Sequence, residues 1–580
     1  MTRIVVERDM PCPMRDGTPL STDVFRPDDG ERHPVLLQRT PYDKRFHPFT
    51  WATLDPLRMA EAGYAVAIQD VRGRYASAGE YREIYANEEL DGADAVAWAA
   101  EQPWSDGNVG MYGISYMGAT QWLASVSGHP ALRALAPVTT PNDLIENHLR
   151  RGGAFQLGLL ATWSLVAMAP AELRRRAAAD PAVLADALAL IDDIDALDER
   201  VAHVPLVPFP PADERAGGLT PWFSRYAGAE VRRPEHDAMC ISHRHDRVLA
   251  PALQIAGWYD VLLGGDLSHF VSMRREAGSP EARERTRLIV GPWAHAVFSP
   301  AVGELDFGVR AAGISLDLRE DLTWLHRRWF DQRLRGVDTG IDDEAPVRLF
   351  VMGRNRWMDA EDWPPPGRSE EAWHLQPGGG LEPRPPADDG GSSVYRLDPE
   401  RPVRTRGGNL LMGGAYLRGP IEQGPTERHP DVLLFTSAPL ERELEVIGPV
   451  RLVAWVASAT PDTDLVARLC DVHPDGRSFN VVDGILRLRF RESLRDPVAM
   501  PVGEPVRVEV DLWATAHVFA PGHRLRLHVC ASDFPRYDRC AGTGASAATA
   551  DRIEPQRNVL FHEASRPSHV VLPVGRKSRS

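Results

Sequence analysis

The run Gly110-Met-Tyr-Gly-Ile-Ser-Tyr-Met-Gly118 joins an apolar strand pattern to a helix pattern with Ala119, Trp122 and Leu123 on its apolar side. That layout predicts a nucleophile elbow, a tight strand-to-helix turn that lifts the hydroxyl of Ser115 above a sheet. Small residues flank such a serine because the turn brings neighbouring backbone close and side chains would clash. The common spacing is G-x-S-x-G; here the second glycine falls one position later, at Gly118.

A serine attacks a carbonyl carbon only with a base beside it, and the base needs a carboxylate to orient it. On this kind of scaffold they follow in the order Ser, Asp, His, on loops past the carboxyl ends of later strands. Two apolar strand patterns, 252–256 and 287–290, run into Gly257-Trp-Tyr-Asp260 and Gly291-Pro-Trp-Ala-His295. Asp260 and His295 are 35 residues apart, room for one crossover helix. The alternative is that Asp260 caps a helix and His295 is one of 19 histidines on a surface loop. The developing oxyanion also needs donors. The Tyr116 amide, at the positive end of the helix, is one. No glycine-rich loop follows the strand pattern 34–38, which runs instead into Arg39-Thr-Pro-Tyr42-Asp-Lys44, so Tyr42 is either a hydroxyl donor or a packing aromatic. His243, His245 and Asp246 lack a third ligand cluster and predict a charged loop rather than a metal site. Asp70-Val-Arg-Gly73 predicts an internal Asp–Arg pair that fixes the loops.

The elements that must position these groups alternate strand and helix over the first ~140 residues, the pattern of a parallel sheet with helix crossovers. Strands are expected at 34–38, 64–68, 109–112 and 133–138. A helix capped by Asn87 should carry Leu90, Ala93 and Ala97 on one face and close at Pro103. From 143 to 242 the chain turns rich in Ala and Leu and reads as a helical insertion, punctuated by Pro205-Leu-Val-Pro-Phe-Pro-Pro211. Strand and helix resume over 243–352, with a long helix bearing Leu318, Leu322, Leu325 and Trp329 on one stripe and Gly336 at its C-terminal cap. The rest, 353–580, reads as all-β. There Leu486, Leu488 and Phe490 alternate with Arg487, Arg489 and Arg491; Val506 to Leu512 and Leu525 to Val529 alternate likewise, predicting one buried and one solvated face per strand.

The 580-residue chain carries 66 basic against 81 acidic side chains, a net charge of −15 that repels a phosphate backbone, so nucleic acid is excluded as a partner class. Five cysteines without a C-x-x-C argue against a disulfide framework or zinc ribbon. No apolar run reaches the ~18 residues that span a bilayer, and the charged start MTRIVVERDM lacks the stretch of a signal peptide. No membrane association and a cytoplasmic location are expected.

The segments MRDGTPLSTDVFRP, RTPYDK, IQDVRGRYASAGE, DGNVGMYGISYMGATQW, AGWYD, VGPWAH, VRLFVMG and DFPRYDR run collinearly from Met14 to Val574, and together they resemble the cocaine esterase (CocE/NonD) family, related to X-prolyl dipeptidyl peptidases. The resemblance implies an α/β fold: an α/β-hydrolase core with an inserted helical lid and a C-terminal all-β jelly roll. The family's elbow is G-x-S-Y-x-G, which accounts for the displaced glycine. It implies Ser115 as nucleophile, His295 as base, Asp260 as its orienter, and the Tyr42 hydroxyl with the Tyr116 amide as oxyanion hole. The matching acyl-pocket positions are Trp163, Leu262, Leu411 and Met412. The family's namesake has aromatic residues where Leu262 and Met412 stand, so weaker stacking on a benzoyl group is expected here.

The expected activity is carboxylic-ester hydrolysis through an acyl-enzyme on a small-molecule ester, requiring no cofactor or metal. An amide hydrolase, either an X-prolyl dipeptidyl peptidase or an amino-acid ester/β-lactam acylase, would need carboxylates to hold a substrate ammonium, yet Val261-Leu-Leu-Gly-Gly265 is apolar up to Asp266. A jelly-roll binding protein with a vestigial hydrolase part is the reading from another class. A homodimer is an allowed assembly that the sequence does not specify.

Overall fold

In the computed structural model, which describes residues 3–575, ten strands form one sheet: β1 (Ile4–Pro13), β2 (Pro19–Pro27), β3 (His33–Thr40), β4 (Ala65–Asp70), β5 (Ser105–Ile114), β6 (Leu132–Val138), β7 (Leu253–Tyr259), β8 (Arg287–Ala294), β9 (Val347–Val351) and β10 (Arg356–Ala360). Their order is β1-β2-β4-β3-β5-β6-β7-β8-β9-β10. The strands from β4 to β9 pair in parallel, whereas β1, β2 and β10 pair antiparallel at the two edges. Buried on both faces, the central strands carry almost no polar alternation; all of Ala65–Asp70 and Leu253–Tyr259 is buried.

Five helices matter for the site: α1 (Glu88–Glu101), α2 (Tyr116–Ser125), α3 (Leu157–Thr162), α4 (Leu263–Glu276) and α5 (Leu322–Leu334). Asn87 precedes α1, but its side chain makes no capping bond; of the expected stripe Ala93 is buried, Ala97 half-buried and Leu90 turned to solvent, and Gly92, Ala95, Val96 and Ala99 are buried as well. Gly92 is what lets α1 cross α2 closely: a Cβ there would lie 2.6 Å from the Ala124 Cβ. The predicted stripe on α5 holds for Leu322, Leu325 and Trp329. Leu318 falls outside it, because Asp321 caps the helix by accepting the Trp324 amide and the chain before that cap bends away into solvent. Gly336, at φ 65°, follows the last helical turn as expected.

Between β6 and β7 the chain forms the lid, a set of short helices that includes α3 and packs its apolar faces onto the core around Tyr116 and Tyr42. Beyond β10 a jelly-roll sandwich follows. One sheet orders β11 (Arg368–Leu375), β20 (His569–Gly575), β14 (Leu444–Ser458), β19 (Gln556–Glu563) and β12 (Ser392–Leu397), with β17 (Val506–Phe519) also on β14; the other orders β13 (Leu433–Thr436), β18 (Arg524–Cys530), β15 (Asp464–Val472) and β16 (Ser478–Arg487). Leu452, Val456, Leu469, Leu527 and Leu572 fill the space between them.

The alternation at Val508 and Val510 is as expected. At 486–491 it is not: β16 is buried on both faces, and Arg487 is fully buried between Asp464 (2.9 Å) and Asp538 (2.8 Å). Arg489 is likewise buried, pairing with Asp462 at 3.1 Å and with Glu230 of the lid. The face expected in solvent is covered by the rest of the molecule.

Candidate active site

At the end of β5 the backbone turns through Ser115 at φ 60° and ψ −120°, an uncommon conformation for a non-glycine residue, and continues directly into α2. The two glycines explain how the turn is tolerated. A Cβ on Gly113 would sit 2.6 Å from the Met117 Cβ, and one on Gly118 would sit 2.9 Å from the Thr140 Cβ. The displaced glycine is therefore where α2 passes the loop after β6.

Ser115 is half-buried, and its Oγ lies 3.0 Å from His295 Nε2. The opposite ring nitrogen, Nδ1, lies 3.0 and 3.1 Å from the two carboxylate oxygens of Asp260. Asp260 has no solvent exposure and follows β7; His295 follows β8, so the parallel register of those two strands sets the pair side by side. Asp260 Oδ1 also accepts the Leu262 amide at 2.8 Å, so it caps its own turn as well as holding the imidazole.

The Tyr42 hydroxyl stands beside Ser115 and accepts the Trp163 indole N–H at 2.9 Å. Indole N–H is a donor only, so this contact occupies a lone pair of Tyr42 and leaves the phenolic proton free to point elsewhere. Burial pushes the Tyr42 phenol up to about 12, so it remains a donor. Its loop is fastened by Asp70, which accepts the Lys44 amide at 2.7 Å and the Lys44 ammonium at 3.1 Å. The expected Asp70–Arg pair is absent among the described residues, since Arg72 reaches out to Asp91 and Asp16 instead.

The Tyr116 amide is the first of α2, where an N–H has no intrahelical acceptor. Its phenol donates to Glu88 at 2.9 Å, and Glu88 in turn pairs with Arg39 at 2.5 Å, both nearly devoid of solvent. Burial raises the Glu88 carboxyl above the usual carboxylate range, opposed by Arg39.

Trp163 stacks over Tyr116 with rings 12° apart. Leu262 and Leu411 join Leu159 of α3 and Val261 in one small apolar cluster. Met412 packs on Gly158, where a Cβ would meet its sulfur at 2.4 Å. The structure thus gathers the lid, the turn after Asp260 and the jelly-roll edge. His243 and His245 lie apart: His245 bonds His269 at 2.9 Å inside the core.

Three residues at the site escaped sequence reasoning. Asn409 of the jelly roll donates to the carbonyls of Trp258 (2.8 Å) and Asp260 (2.9 Å). Arg418 donates to the His295 carbonyl at 2.5 Å. Burial, and then the neighbouring His295, push the His148 imidazole down to about 3, so it is neutral beside the site. All three contacts come from segments distant in sequence, and only the motif-free positions near Leu411 hinted at the first.

Known proteins resemble the chain along most of its length. Residues 16–297 match the X-Pro dipeptidyl-peptidase (S15 family) model, and 339–571 match the X-Pro dipeptidyl-peptidase C-terminal non-catalytic domain. The chain is 36% identical over 579 residues to the cocaine esterase of Rhodococcus sp. (strain MB1 Bresler), covering 97% of each chain. Two solved structures share the fold. One is an aminopeptidase from the marine sediment archaeon Thaumarchaeota archaeon, with TM-score 0.80, 21% identity and 98% and 96% of the two chains covered. The other is an α-amino acid ester hydrolase, with TM-score 0.77, 24% identity and 99% and 97% covered. With the relative of 36% identity spanning both domains, the lid and the serine elbow, the chain belongs to the cocaine esterase-like (CocE/NonD) family of serine hydrolases.

Proposed function

We propose that this protein hydrolyses carboxylic esters of small, neutral acids through an acyl-enzyme formed on Ser115. The observation that carries the reading is the hydrogen-bonded relay from Ser115 through His295 to Asp260, with links of about 3 Å. His295 Nε2 takes the Ser115 proton as Oγ attacks the ester carbonyl. Asp260 keeps the Nδ1–H of the ring directed at itself, so the lone pair of Nε2 faces the serine. Charge that develops on the carbonyl oxygen is met by the Tyr42 O–H and the Tyr116 N–H. His295 returns the proton to the departing alcohol, and water, deprotonated by the same imidazole, then releases the acid.

Esters are favoured over amides of α-amino acids by the side chains around the acyl group. Leu262, Leu411 and Met412 present aliphatic surface. The nearest acid in sequence, Asp266, is buried with its carboxylate on the Thr140 amide at 2.8 Å, and burial raises its pKa strongly. No carboxylate is thereby offered to a substrate ammonium from that turn. Aliphatic acyl groups should outperform benzoyl groups, cocaine's among them. Five free, buried cysteines suit a reducing cytoplasm.

A fluorophosphonate probe should label Ser115 and no other residue. Measurement of kcat/KM on matched esters, anilides and Xaa-Pro amides, with acyl size varied, should rank short aliphatic esters first. A preference for Xaa-Pro amides would transfer the protein to the peptidase branch, and absence of labelling would leave the jelly roll as a binding module.

A further inference from the structure

Three imidazoles converge on one buried carboxylate at the edge of the jelly roll, far from Ser115 in sequence. Asp471 lies near the end of β15. His517 of β17 places Nε2 3.2 Å from its Oδ2, and His523, in the turn between β17 and β18, places Nδ1 2.8 Å from its Oδ1. His473, two residues past Asp471, places Nε2 3.9 Å from Oδ2. One ligand atom each of Asp471, His473 and His523 lie within 4.8 Å of one another.

A hydrogen-bonded brace accounts for two of these imidazoles. Each carboxylate oxygen accepts one, from His523 and from His517. The third is left over, because 3.9 Å is too long for a hydrogen bond and the His473 ring has no hydrogen-bond partner among the described residues, packing instead on Phe479 and His523. A tetrahedral zinc ion with bonds of ~2.0–2.1 Å sets its ligand atoms about 3.3 Å apart; His523 and His473 stand 2.8 and 3.9 Å from the Asp471 carboxylate, and the three ligand atoms lie within 4.8 Å of one another. His473 and His523 are half-buried at the rim while Asp471 and His517 lie within, which gives an ion a way in.

We propose that Asp471, His473 and His523 form a zinc site with one carboxylate and two imidazoles, a fourth position open to water and His517 bonded to the carboxylate behind them. Such a set leaves a net charge of +1 with Zn²⁺ and uses ligand types that zinc prefers. The ion would pin the end of β15 to the β17–β18 turn, with His517 of β17 held on the same carboxylate. β17 also meets the hydrolase sheet, since Met352 donates to the Ala516 carbonyl and accepts the Val518 amide, each at 2.9 Å. Zinc here would thus brace the joint between the two domains.

The test uses the full chain, stripped with a chelator and checked for retained ester hydrolysis, then dialysed against Zn²⁺ alone. One bound zinc per chain and a raised Tm are expected. Co²⁺ in its place should give the visible absorption of a tetrahedral centre. His473→Ala removes a side chain without a hydrogen bond and should weaken zinc binding by more than the ~10–100-fold that loss of an outer-shell partner costs. His473→Gln, which keeps polarity and bulk, should bind as poorly. Stripped but active protein that takes up no stoichiometric zinc, or His473→Ala binding zinc as tightly as the parent, would overturn the assignment.

Discussion

The role proposed for Tyr42 depends on a neighbour that can only donate. With the Trp163 N–H on its oxygen, the phenolic proton is directed away from the indole and towards whatever oxygen sits over Ser115. Tyr42→Phe should therefore lower kcat by about 10²–10³ with little change in stability, the cost of one oxyanion donor. Trp163→Phe keeps the stacking on Tyr116 but frees that lone pair, and a loss of about 5-fold in kcat is expected, the equivalent of one ~1 kcal/mol hydrogen bond. The pH profile separates this arrangement from an ordinary phenol. Because burial raises Tyr42 from 10.0 to about 12, the protonated donor form persists above pH 10, and kcat should hold its plateau through pH 10. A fall in kcat centred at pH 10 would remove Tyr42 from the oxyanion hole.

The elbow and its glycines are the element on which position depends most. Gly118→Ala forces a Cβ to 2.9 Å from Thr140, and overpacking of this kind should cost about 1–3 kcal/mol in urea unfolding together with a clear fall in kcat. The elements that hold the proposed reacting groups are also the ones most legible in the sequence. Ser115, Asp260 and His295 each follow a buried strand directly, so a run of apolar residues ending in one polar side chain marks them. Where tertiary contact overrides local pattern, the reading failed. Alternating Leu and Arg at 486–491 looked half-solvated because charge usually means water, yet Asp464, Asp538 and Glu230 arrive from elsewhere to cover those guanidiniums. On α1 only Ala93 of the expected stripe is fully buried, for a related reason: Gly92 and the alanines form the contact face, and small residues carry little apolar signal. The antiparallel β1–β2 edge was unread since its charged residues break any alternation. Asp471 and its histidines escaped because 46 and 52 residues separate it from His517 and His523.

At the scale of the molecule, the jelly roll grips the backbone of the hydrolase site as well as packing Leu411 and Met412 against it. Asn409 bonds two carbonyls of the Asp260 turn, so Asn409→Ala should lower kcat about 10-fold while KM changes little and fluorophosphonate labelling slows in parallel; unchanged labelling would separate Asn409 from the site. Arg418 bonds the carbonyl of His295 in the same manner. Contacts to main-chain oxygens do not depend on which side chains the hydrolase half carries, so they place few demands on its sequence but strict demands on its partner's shape. Chimeras made by exchanging the second half between relatives should accordingly succeed or fail according to whether the incoming sandwich brings an amide and a guanidinium to those two spots, however different its remaining surface has become.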